Sequence, residues 1–194
     1  MTRLLPLLAV LLMTAHADAA PKKKYHFDLA AVTAKPAVKA DVAKSATPRV
    51  EAQVKKAFET HPQLVKLEGA PDLPPAPNPQ QMDAYRAFLK KKGIAAAYLV
   101  TVEVTEASEE VVPMEGKANA QRLVVHVAVH LLGETIPGRT MGFTGDGQAT
   151  IKQEVGKKVR DRDREYAWDS AAELAIADAM TTVFKQLALP AKKQ

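Results

Sequence analysis

Two histidines four residues apart, with a glutamate four further on, stand in the run RLVVHVAVHLLGE from Arg122 to Glu134. On a helix His126 and His130 would share one face, the geometry by which a pair of imidazoles binds zinc. The zinc-protease motif sets its glutamate directly after the first histidine, and Val127 takes that place here. The alternation instead reads as a strand. Leu123, Val125, Val127, Val129 and Leu131 are all apolar, so they make one buried face and leave both histidines on the other. Four residues of strand hold the imidazoles about 13 Å apart, too far to share one ion unaided.

Asp146 is the other residue of interest to chemistry, flanked by glycines in TMGFTGDGQATIKQ. Met141, Phe143, Ala149 and Ile151 fall on one face of that strand, and Thr144, Asp146, Gln148 and Thr150 on the other. Side by side, the strands make a polar face bearing Glu103, His126, His130, Asp146 and Gln148, as an antiparallel sheet with one solvated side does. A small-ligand or metal-assisted enzyme would draw on His126, His130 and Asp146. Gly145-Asp146-Gly147 lacks the spacing of a phosphate or calcium loop, and glycine in mid-strand marks a bulge or a close backbone approach. Ser45, Ser108 and Ser170 lie in no nucleophile elbow, and the chain has no cysteine. The carboxylate pairs Glu109-Glu110 and Asp161/Asp163 fall in charge-rich segments read as exposed, where nothing raises a carboxyl for acid catalysis. The expectation is a protein with no catalytic residue, no cofactor and no metal.

The elements that position these residues follow from periodicity and caps. KYHFDLAAVTA (Lys24–Ala34) reads as a first strand. Thr47-Pro48 opens a helix carrying Val50, Val54, Ala57 and Phe58 at helical spacing to Thr60. His61-Pro62 stops it, and QLVKLEG follows as a short strand. Gly69–Pro79 is a proline-rich connection ending in Asn78-Pro79, with Gln81 as a capping-box partner. The helix begun there buries Met82, Tyr85 and Leu89 and stops at Gly93. IAAAYLVTVEVTE alternates as a half-buried strand. A closing helix from roughly Arg164 to Ala188 carries Trp168, Ala172, Ile176, Ala179, Met180, Val183 and Leu187 in one stripe, and Ser170 with Glu173 would form a capping box near its start. The fold class is α/β (α+β). It is a single domain with helices on one face of a mixed sheet, in the order β-α-β-α-β-β-β-α, the last three strands a meander.

Between two of those strands lies EASEEVVPMEGKAN, Glu106 to Asn119, which reads as a long acidic loop. Its tip, Val111, Val112, Pro113 and Met114, is apolar and the foremost candidate for contact with a partner.

Leu4–Met13 is an uninterrupted run of ten residues in which only Pro6 and Met13 depart from leucine, alanine and valine, behind Arg3. Small-x-small cleavage patterns follow at Ala15–Ala17 and Ala17–Ala19, so residues 1–19 read as a cleavable signal peptide. The run is too short for a stable membrane span. Residues 20–46 read as an Ala/Lys/Pro-rich segment with the first strand, and 47–190 as the domain. With no cysteine to carry a lipid, the expectation is an unanchored periplasmic or secreted protein. Net charge is +5, without the basic stripe and interleaved aromatics that nucleic acid calls for. Another envelope protein or an anionic envelope polymer is the expected partner.

The order of motifs resembles two envelope families. Arg122–Thr135 followed by Pro137-Gly138-Arg139, then the glycine-containing strand and the closing Ala-rich helix, is similar to the curli secretion lipoproteins and the amino-terminal domain of TolB. PRVEAQVKKAFETHPQLVKLEG and KKGIAAAYLVTVEV are similar to their helix leading into a short strand and to their Leu-Val strand. The resemblance implies an envelope accessory domain that acts through protein contacts, with no catalytic residue carried over. This chain departs from the curli family in lacking the anchor cysteine and pore-forming insertions, and from TolB in having no propeller.

Overall fold

The valines of Arg122–Leu132 are strand throughout, and their alternation sets the register of everything around them. In the computed structural model, which describes residues 23–117 and 119–189, the elements are β1 (Lys24–Ala34), α1 (Ala40–Thr60), α2 (Pro79–Lys91), β2 (Ile94–Pro113), β3 (Ala120–Ile136), β4 (Met141–Gly156) and α3 (Asp161–Ala188). The sheet runs β1-β2-β3-β4, with β1 parallel to β2 and the other pairs antiparallel. It is the single mixed α/β domain expected, with β2, β3 and β4 as a meander. The expected signal peptide lies outside the described residues. Among the described residues no helix is long and apolar enough to cross a membrane.

One face of the sheet carries the core. Leu123, Val125, Val127, Val129 and Leu131 of β3 lie beside Val100, Val102 and Val104 of β2, all essentially inaccessible to solvent. α1 covers them with Ala46, Val50 and Val54, and α3 with Ala171, Ala172, Ala175, Ile176, Ala179 and Val183. Alanine on α3 lets the helix axis approach the sheet closely. Gly145 and Gly147 complete that approach, since a Cβ at either would collide with α3 backbone at Ala179 or Ala175. The glycines flanking Asp146 are therefore there for helix packing. Phe27 joins the core to an aromatic cluster, with ring centroids 5.0 Å from Phe143, 5.4 Å from Phe58 and 5.7 Å from Tyr98.

α2 lies elsewhere. Ala97 neighbours Tyr98 on β2 and so faces the opposite side of the sheet. There it forms a second apolar cluster with Tyr85 and Leu89 of α2 and Ile94. The expected capping box is present, Gln81 N–H donating to Asn78 Oδ1 at 2.8 Å and Asn78 N–H to Gln81 Oε1 at 2.9 Å. Gly93 ends the helix at φ +68°.

Four local expectations are corrected. QLVKLEG makes only one bridge, Leu64 to Tyr25, because His61-Pro62 and the proline-rich run after Gly69 leave no room for a ladder. Its Val65 and Leu67 turn instead toward the α2 cluster. α1 begins at Ala40, two turns before Thr47, with Pro48 inside it. An interior proline costs about 3 kcal/mol, offset here by the burial of Ala46 and Val50 on either side. α3 begins at Asp161, upstream of the Ser170–Glu173 pair, with Asp163 accepting from the Arg160 backbone N–H at 3.1 Å and from its guanidinium at 2.8 Å. Met141, expected on the core face, is 74% exposed. A register shift after Gly133 pairs it with Glu134 on the polar side.

Candidate functional site

The strand register decides where the polar residues meet. Glu103 pairs with His130 and His130 with Asp146, so the three form a row across β2, β3 and β4. Four residues further along β3, Ser108, His126 and Thr150 form another row. His130 Nδ1 lies 2.7 Å from Asp146 Oδ1. His126 Nδ1 lies 2.9 Å from Thr150 Oγ1, and its Nε2 lies 3.5 Å from Glu106 Oε2. Both histidines are on the polar face, as their alternation predicts, and each is engaged by its own cross-strand neighbour. The structure does not bring His126, His130 and Asp146 to a common point. Among the described residues no group of three or more His, Asp and Glu side chains is placed to hold a metal ion.

The segment expected to be a long acidic loop is strand up to Pro113. Its own alternation explains this. Ala107, Glu109 and Val111 fall opposite Val127, Val125 and Leu123, whose pairing carries the ladder despite the poor strand propensity of glutamate. A turn at Glu115 and Gly116 follows, with Met114 N–H donating to the Ala120 carbonyl at 3.3 Å. Lys117 ties the turn to β4 through both carboxylate oxygens of Glu154, at 2.8 and 2.9 Å.

Glu109 and Glu110, read as an exposed pair, are set apart by this register. Glu109 is on the helix side of the sheet, where Oε1 accepts from Arg164 Nε at 2.7 Å and Oε2 from the indole N–H of Trp168 at 2.9 Å. The hydrogen bond and charge of Glu109 raise the Arg164 guanidinium above its usual range. Asp163, read as exposed, is buried, and the hydrogen bonds from Arg160 hold it below the ordinary carboxylate range against the cost of desolvation. Beyond this clamp β2 runs on to Pro113. Val111 is 39% and Val112 43% exposed there, with Val111 on the helix side and Val112 on the histidine side.

Two groupings escaped sequence reasoning. His26, buried on β1, has Nδ1 2.8 Å from the Val65 carbonyl oxygen and Nε2 3.0 Å from Asp28. Desolvation lowers its pKa, but the Asp28 hydrogen bond, the Val65 carbonyl and the Asp28 charge together outweigh that and raise it. The i, i+2 spacing of His26 and Asp28 was visible, but the chain reversal that delivers Val65 was not. The second is a cleft of about 640 Å³ between the end of α1 and α3, lined by Ala57, His61, Met180, Phe184 and Lys185 among others. The His61 ring stacks on Phe184 at 3.9 Å there. Its walls come from helices more than a hundred residues apart, so no local motif announces it.

No protein-family model matches the chain, and no curated protein matches it. Solved structures similar to it include a minor lipoprotein from Acinetobacter baumannii, with 10% identity and TM-score 0.40, covering 80% of this chain and 92% of that one. Rare lipoprotein B from Shewanella oneidensis is similar at 10% identity and TM-score 0.38, covering 84% and 96%. Lipoprotein B from Nitrosomonas europaea is similar at 10% identity and TM-score 0.35, covering 85% of each chain. At these values the likeness assigns no activity, ligand or partner. The match to the curli secretion lipoproteins and TolB expected from the order of motifs is not shown. One expectation is overturned. Most of these similar structures are lipoproteins, proteins held in the envelope by a lipid, which stands against an unanchored periplasmic or secreted protein. That expectation rested on the lack of cysteine, which excludes thioether lipidation within these 194 residues and speaks to nothing outside them.

Proposed function

We propose that this chain is a non-enzymatic accessory protein of the cell envelope that binds another polypeptide through the far end of the β2–β3 hairpin. The observation that carries this reading is the pair Val111 and Val112, both partly exposed and set on opposite sides of the hairpin end. Two adjacent β-branched side chains in water gain by burial against a partner, at about 25 cal/mol per Å² of apolar surface removed. The Glu109 clamp to Arg164 and Trp168 holds the base of the hairpin, so its end is presented without a large ordering cost on binding. The Leu4–Met13 run supports export to the envelope. The polar face supports no reaction step, because His126 and His130 are each engaged separately.

Co-purification from native envelope extracts, with the recovered proteins identified by mass spectrometry, tests this. Val111→Asp and Val112→Asp together should abolish recovery of whatever accompanies the wild type. Equal recovery from a folded double variant would remove the hairpin end from the binding surface.

The cleft between α1 and α3 supports a second reading, a site for a small apolar ligand, since its volume falls in the range of such pockets, about 300–1,000 Å³. Filling it by Ala177→Trp should abolish uptake of an apolar fluorophore while leaving partner recovery unchanged.

A further inference from the structure

The strands of this sheet are unequal, and the inequality leaves backbone uncovered. β1 has 11 residues and β2 has 20. The partners of β1 on β2 run only from Ile94 to Val104. Lys35 N–H makes the last contact, to the Val104 carbonyl at 2.9 Å, and the chain then turns away into α1. From Glu106 to Pro113, β2 pairs with β3 on one side and has no strand on the other among the described residues. A small notch lined by Ala37, Val38 and Glu106 marks where β1 stops.

The opposite edge of the sheet is treated differently. α3 lies along β4 and caps its outward groups: Thr144 N–H donates to Gln186 Oε1 at 3.3 Å, Gln148 N–H to Asp178 Oδ2 at 3.2 Å, and Thr182 Oγ1 to the Asp146 carbonyl at 3.4 Å. Such covering is how sheets blunt an edge against stray pairing. Among the described residues no helix side chain makes such a hydrogen bond to the far half of β2, where Ala37 and Val38 lie beside Glu106 and Ser108. Among the described residues the outer edge of β1 also lacks a strand beyond its bridge to Leu64, but its Asp28 is engaged by His26, and Leu29 and Val32 pack against the core.

We propose that the outer edge of β2 from Glu106 to Pro113 takes an extended basic segment of another polypeptide as an added strand, in line with β1. This deepens the proposed function and rests on the hairpin end being a binding surface. Main-chain hydrogen bonds would supply affinity and alternate side chains specificity. Glu106 and Glu110 share the histidine face, about 13 Å apart along the strand, and the Glu106 side chain is 74% exposed. The matching segment carries Lys or Arg four residues apart on that face, and an apolar residue beside Val111 on the other. Charge also disfavours a second copy of this chain. Twofold antiparallel pairing centred on Ser108 would set Glu106 against Glu110 of the copy, and like charges directly opposite destabilise a strand pair.

The test uses the full chain and a fluorescein-labelled ten-residue peptide rich in Val and Thr, with Lys at two positions four apart. A second peptide has the same side chains and every backbone amide N-methylated, and a third has Glu in place of Lys. The first should bind by fluorescence anisotropy. N-methylation, or the double variant Glu106→Lys/Glu110→Lys, should weaken it roughly tenfold or more, and that variant should gain the Glu peptide. Circular dichroism and melting confirm that the variant is folded. Strand addition is overturned if the Lys peptide fails to bind at millimolar protein, if the N-methylated peptide binds equally, or if charge reversal changes nothing. It is also overturned if sedimentation shows a dimer broken by substitution at the β2 edge, which would make the occupant a second copy. Loss of partner recovery with Val111→Asp/Val112→Asp alongside any of these outcomes would leave the hairpin-end reading standing and remove strand addition alone.

Discussion

The indole N–H of Trp168 donates to Oε2 of Glu109 at 2.9 Å, while Arg164 holds the other carboxylate oxygen at 2.7 Å. This joins the far half of β2 to the first turns of α3. Trp168 is buried, so removing its acceptor leaves the indole N–H without its protein partner. Glu109→Ala should therefore destabilise the fold by about 1–3 kcal/mol, read as a lower urea midpoint at unchanged slope. Hydrogen exchange should quicken from Val111 to Ala120, because the clamp sits at the base of that segment.

Gly147 tests the helix-packing account of the glycines around Asp146. A methyl group there would meet the Ala175 carbonyl and the Ala179 amide, which are backbone and cannot swing aside. Gly147→Ala should cost about 1–3 kcal/mol or more through overpacking. Gly156→Ala, where a Cβ meets nothing within 4 Å, should change stability by no more than about 0.5 kcal/mol. Thermal melting of the two variants distinguishes packing from a general intolerance of side chains in β4.

His26 makes stability depend on pH. Both ring nitrogens face oxygen, Val65 O and Asp28 Oδ1, and only the imidazolium donates to both. Its pKa is raised in the fold, so the folded state binds the proton more tightly than the unfolded chain does. The stabilisation is complete below the unfolded value of about 6.5 and is lost as pH rises through the folded value. The unfolding midpoint of wild type relative to His26→Gln should thus fall on going from pH 6 to pH 8. A constant difference would mean the ring stays neutral throughout.

The polar face should be inert to metal. Zinc binding to the native state would raise the melting temperature by mass action. Wild type and His126→Ala/His130→Ala should respond alike to added zinc, since each imidazole is engaged separately. A rise confined to wild type would restore the metal reading of this pair.

Where local chemistry and tertiary packing agreed, the sequence was a good guide. Leu123 to Leu131 alternated without interruption and gave the face of β3; Asn78, Pro79, Gln81 and Gly93 bracketed α2 because caps act over three or four residues. It misled where a distant partner decided the outcome. Glu106–Pro113 looked like loop because Glu and Ser are poor strand formers, and it became strand because β3 supplied a ladder. Pro48 looked like a helix start and lies inside one, held by the burial of Ala46 and Val50. Glu109 looked solvated beside Glu110, yet adjacent residues of a strand face opposite sides, and only the register shows which of them meets Trp168. The His26–Val65 contact and the cleft along α3 join residues that no periodicity links.

The binding surface proposed at the end of the β2–β3 hairpin is tested most directly by comparing Val111→Asp/Val112→Asp with wild type. Both side chains are partly solvated and lie outside the core, so the double variant should keep its melting temperature to within the change expected of about 1 kcal/mol. It should recover none of the proteins that co-purify with wild type from native envelope extracts. A folded double variant that recovers the same proteins in the same amounts would contradict the account.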